Sequence, residues 1–192
     1  MNGLGPLLDQ GLLASLQQLE AQVAQAGLPD HEHSVHFCLA MGFQAAHALQ
    51  PGDIIFEWPV EGGRADLWLC PWDLAVEVKY NRPIPSGSNR PHPQHLGGLL
   101  RDFLKLKRMR VAARLAVLLV DPQHFGYLTR NAGRLIPFTV GEARRIAVGD
   151  IAGANKTIRA AAEKVSPWDD LQLRLQWSGA LGEYRMLGWT IT

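Results

Sequence analysis

One run of residues limits the folds open to this chain more than any other: Arg114-Leu115-Ala116-Val117-Leu118-Leu119-Val120, closed by Asp121-Pro122. An apolar stretch of this length without alternation reads as a central strand covered on both faces. It is also the longest uninterrupted apolar run, far short of the ~20 residues a membrane helix needs. The chain must therefore lay a sheet between two layers. Its 192 residues fit one domain, 1–192, at ~100–200 residues per domain. A chain of this size buries ~70% of its unfolded surface and needs no staple. With 47% hydrophobic and 19% charged residues, collagen-like, disordered and coiled-coil classes are excluded. Cys38 and Cys70 lie in different apolar segments and read as buried thiols rather than a disulfide. Met1-Asn2-Gly3-Leu4 carries no Lys or Arg and gives no secretory signal, so the expected compartment is the cytoplasm.

Around that strand the periodicity predicts the other elements. Leu7, Leu12, Leu16, Leu19 and Val23 share helical spacing, which places an N-terminal helix within 4–26, stopped by Gly27-Leu28-Pro29. Asp30 is set to cap a second helix running to about Leu49. On it Val35, Leu39, Phe43 and Ala46 share a face, and Glu32 projects onto that face one turn earlier. Strands are expected at 54–60, 64–69 and 74–80, the last two joined by Cys70-Pro71-Trp72-Asp73. A polar loop rich in Pro, Gly and Ser follows to Pro93, and Gly87 suits it to closing over a ligand. Leu96, Leu99, Leu100, Phe103 and Leu106 then form the apolar stripe of a helix. Past residue 122 the reading is a helix near Gly141–Val148, another over Ile151–Val165, and a hairpin of 171–177 with 183–191 across Ser178-Gly179-Ala180.

Charge is unevenly spread. Residues 1–78 hold ten acids and only Arg64 as a base, whereas residues 79–114 hold nine bases and only Asp102 as an acid. The middle of the chain is thus a surface suited to a polyanion, or a solvated basic helix. Arg101, Lys105 and Arg108 form its cationic stripe, and Arg82 and Arg90 stand in the loop before it, placed to grip a nucleic acid strand or to stay in water. Asp102 is set to pair with a neighbouring Arg or Lys.

Within the strands one constellation carries chemistry. Glu77 and Lys79 are two apart on a strand and so share a face, and pairing across the short turn brings Asp66 to them. Two close carboxylates repel unless a positive charge lies between them. A hard divalent cation with oxygen ligands meets that need, and a metal-bound water beside Lys79 is a nucleophile.

Asp66, ten intervening residues, and Glu77-Val78-Lys79, set in an α-β-β-β-α-β order over about 30–121, resemble the PD-(D/E)XK superfamily of restriction-endonuclease-like nucleases. The resemblance implies an α/β fold: that core with a mixed central sheet flanked by helices, plus additions at 4–26 and 122–192. It further implies that Asp66, Glu77 and the Val78 carbonyl hold Mg²⁺, that Mn²⁺ can substitute, and that Lys79 serves catalysis. Glu32 stands where many members add an acid from the helix before the sheet, and Gln94 where many carry a Gln. Ala65 replaces the usual Pro, and Gly98 breaks the Gln-x-x-x-Tyr pattern of the helicase-linked members. The implied partner is nucleic acid, with DNA favoured by family habit; no membrane partner is expected. The N-terminal helix or the terminal hairpin could build a homodimer.

Other residues have plainer readings. His31, His33 and His36 fit no His-Glu-x-x-His spacing and read as solvated, with His36 near Glu32. Glu57 is a rival third acid, or a solvated edge residue. His92 and His95 flank Gln94 at a helix start. Trp68 suits core packing and Trp72 turn packing, or either could stack on a base. A non-catalytic nucleic-acid-binding or assembly module on the same fold is the alternative to the enzyme.

Overall fold

The computed structural model describes residues 3–61, 63–81, 92–154, 156–163 and 170–192. In it the apolar run becomes β4 (Ala113–Val120), the middle strand of a seven-stranded sheet. Leu115, Val117 and Leu119 join one buried cluster, and Ala116, Leu118 and Val120 join the other. Both faces are covered, as the missing alternation requires.

Ahead of β4 come α1 (Leu4–Ala26), α2 (Glu32–His47), β1 (Ile54–Val60), β2 (Gly63–Leu69), a single 3-10 turn at Cys70–Trp72, β3 (Leu74–Asn81) and α3 (His92–Arg108). After it come α4 (Pro122–Ala132), β5 (Ala143–Ile146), α5 (Val148–Ala152), α6 (Lys156–Glu163), β6 (Leu171–Leu181) and β7 (Tyr184–Ile191). The sheet order is β1-β2-β3-β4-β7-β6-β5. Among the described strands only β3 and β4 pair in parallel, and α3 lies between them in the chain, as a parallel pair requires. Helices α1 and α2 supply one buried cluster, and α3 and α4 the other. The protein is therefore mixed α/β, with helices on both faces of a mixed sheet. The element order α2-β1-β2-β3-α3-β4 is the expected α-β-β-β-α-β.

One face is closed by a tight helix crossing. A methyl group added at Gly42 on α2 would lie 2.3 Å from the Ser15 backbone of α1, so the two helices meet where neither has a bulky side chain. The Ser15 hydroxyl donates to the Gly11 carbonyl at 2.7 Å and so needs no water there. Leu8, Leu12, Leu16 and Leu19 of α1 are buried in the cluster that also holds Val35, Leu39 and Phe43 of α2. Both elements named as dimer builders thus bury apolar surface internally: α1 against α2, and β7 beside β4 in the sheet. Among the described residues no helix is long and apolar enough to cross a membrane.

Several expectations need correction. His31, not Asp30, is the N-cap of α2, and its side chain makes no cap bond. The segment expected as a helix at 141–148 is the edge strand β5: Gly141 (φ 85°) turns the chain, and Arg144 and Arg145 are drawn outward to Glu142 and Asp170. The helix expected over 151–165 is two short ones, α5 and α6, and Val165 lies outside the described residues. The hairpin turns at Gly182-Glu183 rather than at 178–180, because Gly182 supplies the positive φ (58°) a two-residue loop needs. Helix α4 adds to the expected elements: Asp121 accepts from the N–H groups of Gln123 and His124, and Pro122 takes the first helical position. Cys38 is buried and Cys70 only half-buried; both are free thiols.

Candidate active site

Strands β2 and β3 pair in register at Leu69–Leu74, Trp68–Ala75 and Leu67–Val76. Beyond that point the ladder is finished by side chains. The Val78 N–H donates to Asp66 Oδ2 at 2.7 Å, and the Tyr80 N–H donates to Glu32 Oε2 at 2.9 Å. Two carboxylates thus satisfy buried backbone donors that a neighbouring strand would otherwise take. The alternation of β2 also breaks at Asp66. Leu67 and Leu69 belong to the α2-side cluster, whereas Ala65 belongs to the α3-side one. On β1 the residue between the pairs Phe56–Leu67 and Trp58–Ala65 is Glu57, held at φ 53°.

On the other face of β3 the side chains of Glu77 and Lys79 meet α3. Ala75, on the same face, is small and buried with α3's apolar residues. Glu77 is only 5% exposed, and Lys105 Nζ lies 2.5 Å from its Oε1. Lys79 Nζ lies 3.6 Å from Glu32 Oε2 and 3.6 Å from Asp102 Oδ2, so two elements hold one ammonium. Arg101 Nε stands 3.7 Å from the other Asp102 oxygen. From α2, His36 Nε2 reaches within 3.8 Å of Asp66 Oδ2.

Electrostatics follow from this crowding. Burial, and then the charge of Asp66, push the Glu77 carboxyl up to about 8, with Lys105 working in the opposite direction. Burial likewise raises Asp102, against the pull of Lys79 and Arg101. For Lys79 burial alone would lower the ammonium, but Asp102, Glu32 and Asp66 outweigh it and hold it above its usual range. Burial pushes the His36 imidazole down, against Asp66 and Glu32. Four carboxylates (Glu32, Asp66, Glu77 and Asp102) share this place with two lysines, and Arg101 stands at its rim. The surplus is negative and partly buried. Protonation of Glu77 relieves it, and a divalent cation would relieve it equally.

The structure thus brings together Asp66, Glu77, Lys79 and Glu32. Val78 enters through its N–H. Gln94 is exposed at the start of α3, and among the described residues it makes no hydrogen bond to this cluster. Arg82 and Arg90, like Gly87, lie outside the described residues. Lys105, expected to meet nucleic acid, lies against Glu77; Arg101 and Arg108 stay half-exposed and exposed on α3.

Asp102 pairs as expected with a neighbouring Arg and Lys, Arg101 beside it on α3 and Lys79 across on β3. Its burial goes beyond that expectation and has a signal in the chain: it stands three residues after Leu99 and four before Leu106, inside the apolar stripe. His36, expected to be solvated, is instead 3% exposed. Glu57 pairs with Arg64 (Nε to Oε2, 2.9 Å) and lies beside His33 and His36. Trp68 is half-buried, stacked on Trp58 at 5.0 Å, and donates to Asp73 Oδ1; Trp72 packs on Phe43 and His47.

A second group, His92 and His95 at the start of α3 and His124 on α4, closes the region at that end. His92 Nδ1 and His95 Nδ1 lie 3.1 and 3.2 Å from His124 Nδ1. Burial, then His95 and His92, push His124 down to about 3, which keeps that ring neutral. Comparison with protein families, with curated proteins and with solved structures finds no match for this chain.

Proposed function

We propose that the protein is a Mg²⁺-dependent nuclease of PD-(D/E)XK type, hydrolysing nucleic-acid phosphodiester bonds, with DNA as the substrate and Mn²⁺ able to replace Mg²⁺. The observation that carries this reading is the meeting of Asp66, Glu77 and Lys79 where β2 and β3 part, with a surplus of buried negative charge. The donors there are carboxylate oxygens, the set a hard divalent cation takes. Asp66 and Glu77, with the Val78 carbonyl, would hold the ion. Held there, Mg²⁺ would supply Lewis acidity toward an attacking water and offset phosphate charge.

The chain's own residues do the rest. Glu32 and Asp102 grip Lys79 from two sides and keep its ammonium charged and fixed, so that it can orient a water and balance charge beside the scissile phosphate. Arg101 and Arg108 on α3 are placed to meet the phosphate backbone.

Purified protein with Mg²⁺ should nick or degrade duplex, single-stranded or branched DNA, and Glu77→Ala or Lys79→Ala should remove that activity. Equal behaviour of wild type and Glu77→Ala on all three substrates would overturn the enzyme reading. One observation favours the alternative, a non-catalytic nucleic-acid-binding module: Lys105 already neutralises Glu77 within the chain. Salt-sensitive DNA binding without any metal-dependent cleavage would establish it.

A further inference from the structure

Beside Asp66, whose Oδ2 lies 3.8 Å from His36 Nε2, α2 and β1 assemble a different donor set. His33 and His36 stand one helical turn apart, with ring centroids 5.3 Å apart. A ring nitrogen of each and a carboxylate oxygen of Glu57 all lie within 4.8 Å of one another. We infer that His33, His36 and Glu57 form a binding site for a divalent cation of the zinc class, adjoining Asp66 but built on donors other than the Asp66–Glu77 pair.

Three observations support it beyond proximity. First, His36 is 3% exposed, and among the described residues its Nε2 makes no hydrogen bond, the Asp66 carboxylate at 3.8 Å being too far for one. A buried ring nitrogen left without a hydrogen bond is costly, and a metal is one of the few partners that could satisfy it. Second, Glu57 is a non-glycine residue in the left-handed region, φ 53°, in the middle of a strand whose neighbours on both sides pair normally. Backbone held this way persists where the surroundings fix it, and such places cluster at ligand sites. Third, Arg64 Nε holds Glu57 Oε2 at 2.9 Å, the kind of outer partner that orients a ligating carboxylate.

The donor types name the class of metal. Two imidazoles and one carboxylate suit Zn²⁺ or Co²⁺, whereas Mg²⁺ and Ca²⁺ take oxygen ligands. Three protein ligands leave a fourth position open to water or to an anionic group of a ligand. Ligands on a tetrahedral zinc lie about 3.3–3.5 Å from one another, so the set must draw in from 4.8 Å. His33 and Glu57, both with exposed side chains, can do this by rotating toward the fixed His36. The inference stands without the nuclease reading, since none of the three residues is needed to hold Mg²⁺ there.

The test is calorimetric titration of metal-stripped full-length protein with Zn²⁺, alongside Co²⁺ absorption spectra in the visible range. Wild type should bind one Zn²⁺ per chain and give the intense bands of low-coordinate Co²⁺, with excess Mg²⁺ failing to displace either. His33→Ala and Glu57→Gln should each weaken Zn²⁺ binding by about tenfold or more, and Glu77→Gln should leave it unchanged. His33 is at the surface, so its loss spares the core. No Zn²⁺ binding by wild type would overturn the inference. So would binding indifferent to both His33→Ala and Glu57→Gln, or binding that Glu77→Gln abolishes. DNA cleavage with Mg²⁺, measured on the same variants, reports on the nuclease reading independently: that reading fails if Glu77→Gln cuts like wild type, whatever Zn²⁺ does.

Discussion

The two faces of β3 make opposite use of one backbone. Toward α2 it presents Leu74, Val76, Val78 and Tyr80, all in one apolar cluster. Toward α3 it presents Ala75, then Glu77 and Lys79 beneath Asp102 and Lys105. The first face is stabilised by burial, at ~25 cal/mol per Å² of apolar surface. On the second, burial works against the charges it encloses, and their mutual pairing offsets only part of that opposition. A period of two lets a single strand hold both without one intruding on the other. Apolar packing and buried charge are thus divided between the faces of one strand rather than between separate parts of the fold.

That division can be broken from either side. The largest effect is expected on the charged face: Glu77→Gln should lower Mg²⁺-dependent cleavage about a thousandfold, several kcal/mol of transition-state stabilisation, while the protein stays folded. Nicking kinetics and a thermal melt on one preparation check both halves. On the packed face Gly42→Val should do the reverse. Its added carbons meet the Ser15 backbone, where even a methyl would stand 2.3 Å away, and overpacking of this kind costs about 3 kcal/mol. Urea unfolding should register that loss, while cleavage per folded molecule stays unchanged.

The comparison is sharpened further through pH. The Glu77 carboxyl lies near 8 in the folded protein, against 4.5 when unfolded. The unfolded chain therefore gives up this proton first, and the stability that a neutral Glu77 contributes is complete below pH 4.5 and is lost as pH rises toward 8. Metal-free wild type should fall in stability relative to Glu77→Gln across that window, and run parallel to it outside. His124 works in the opposite direction. Its folded value is about 3 against 6.5 unfolded, so its contribution is whole above 6.5 and fades as pH falls toward 3. Denaturant melts of Glu77→Gln and His124→Gln at a series of pH values separate the two. The smallest change is Glu57→Gly, expected to raise the stability of the metal-free protein by about 1 kcal/mol through relief of its left-handed backbone, and to weaken Zn²⁺ binding at the same time.

How much was legible beforehand depended on how local the cause was. Strands β1, β2 and β3 were readable because alternation and turn residues set them within a few positions. Asp66, Glu77 and Lys79 came with them, since a short turn and a period of two suffice to place all three. The seat of Lys105 on Glu77 and the burial of His36 are made by α2 and α3 folding over the sheet, which no spacing along the chain reveals, whereas the burial of Asp102 is written in the apolar stripe of α3. Asp121-Pro122 was readable but ambiguous. It ends a strand and caps a helix with the same two residues, and the spacing alone announces only the first. Strand β5, four residues with two arginines, carries almost no apolar signal, because an edge strand needs little.

The carboxylates that close the gap beyond Val76 have a consequence for anyone dissecting the site. Asp66 and Glu32 stand in for a missing strand, so removing either orphans a peptide N–H and unsettles the scaffold together with whatever chemistry it supports. An inert Asp66 variant would therefore report on architecture and reactivity at once. Glu77, whose carboxylate answers to a lysine rather than to the main chain, lets the two be pulled apart.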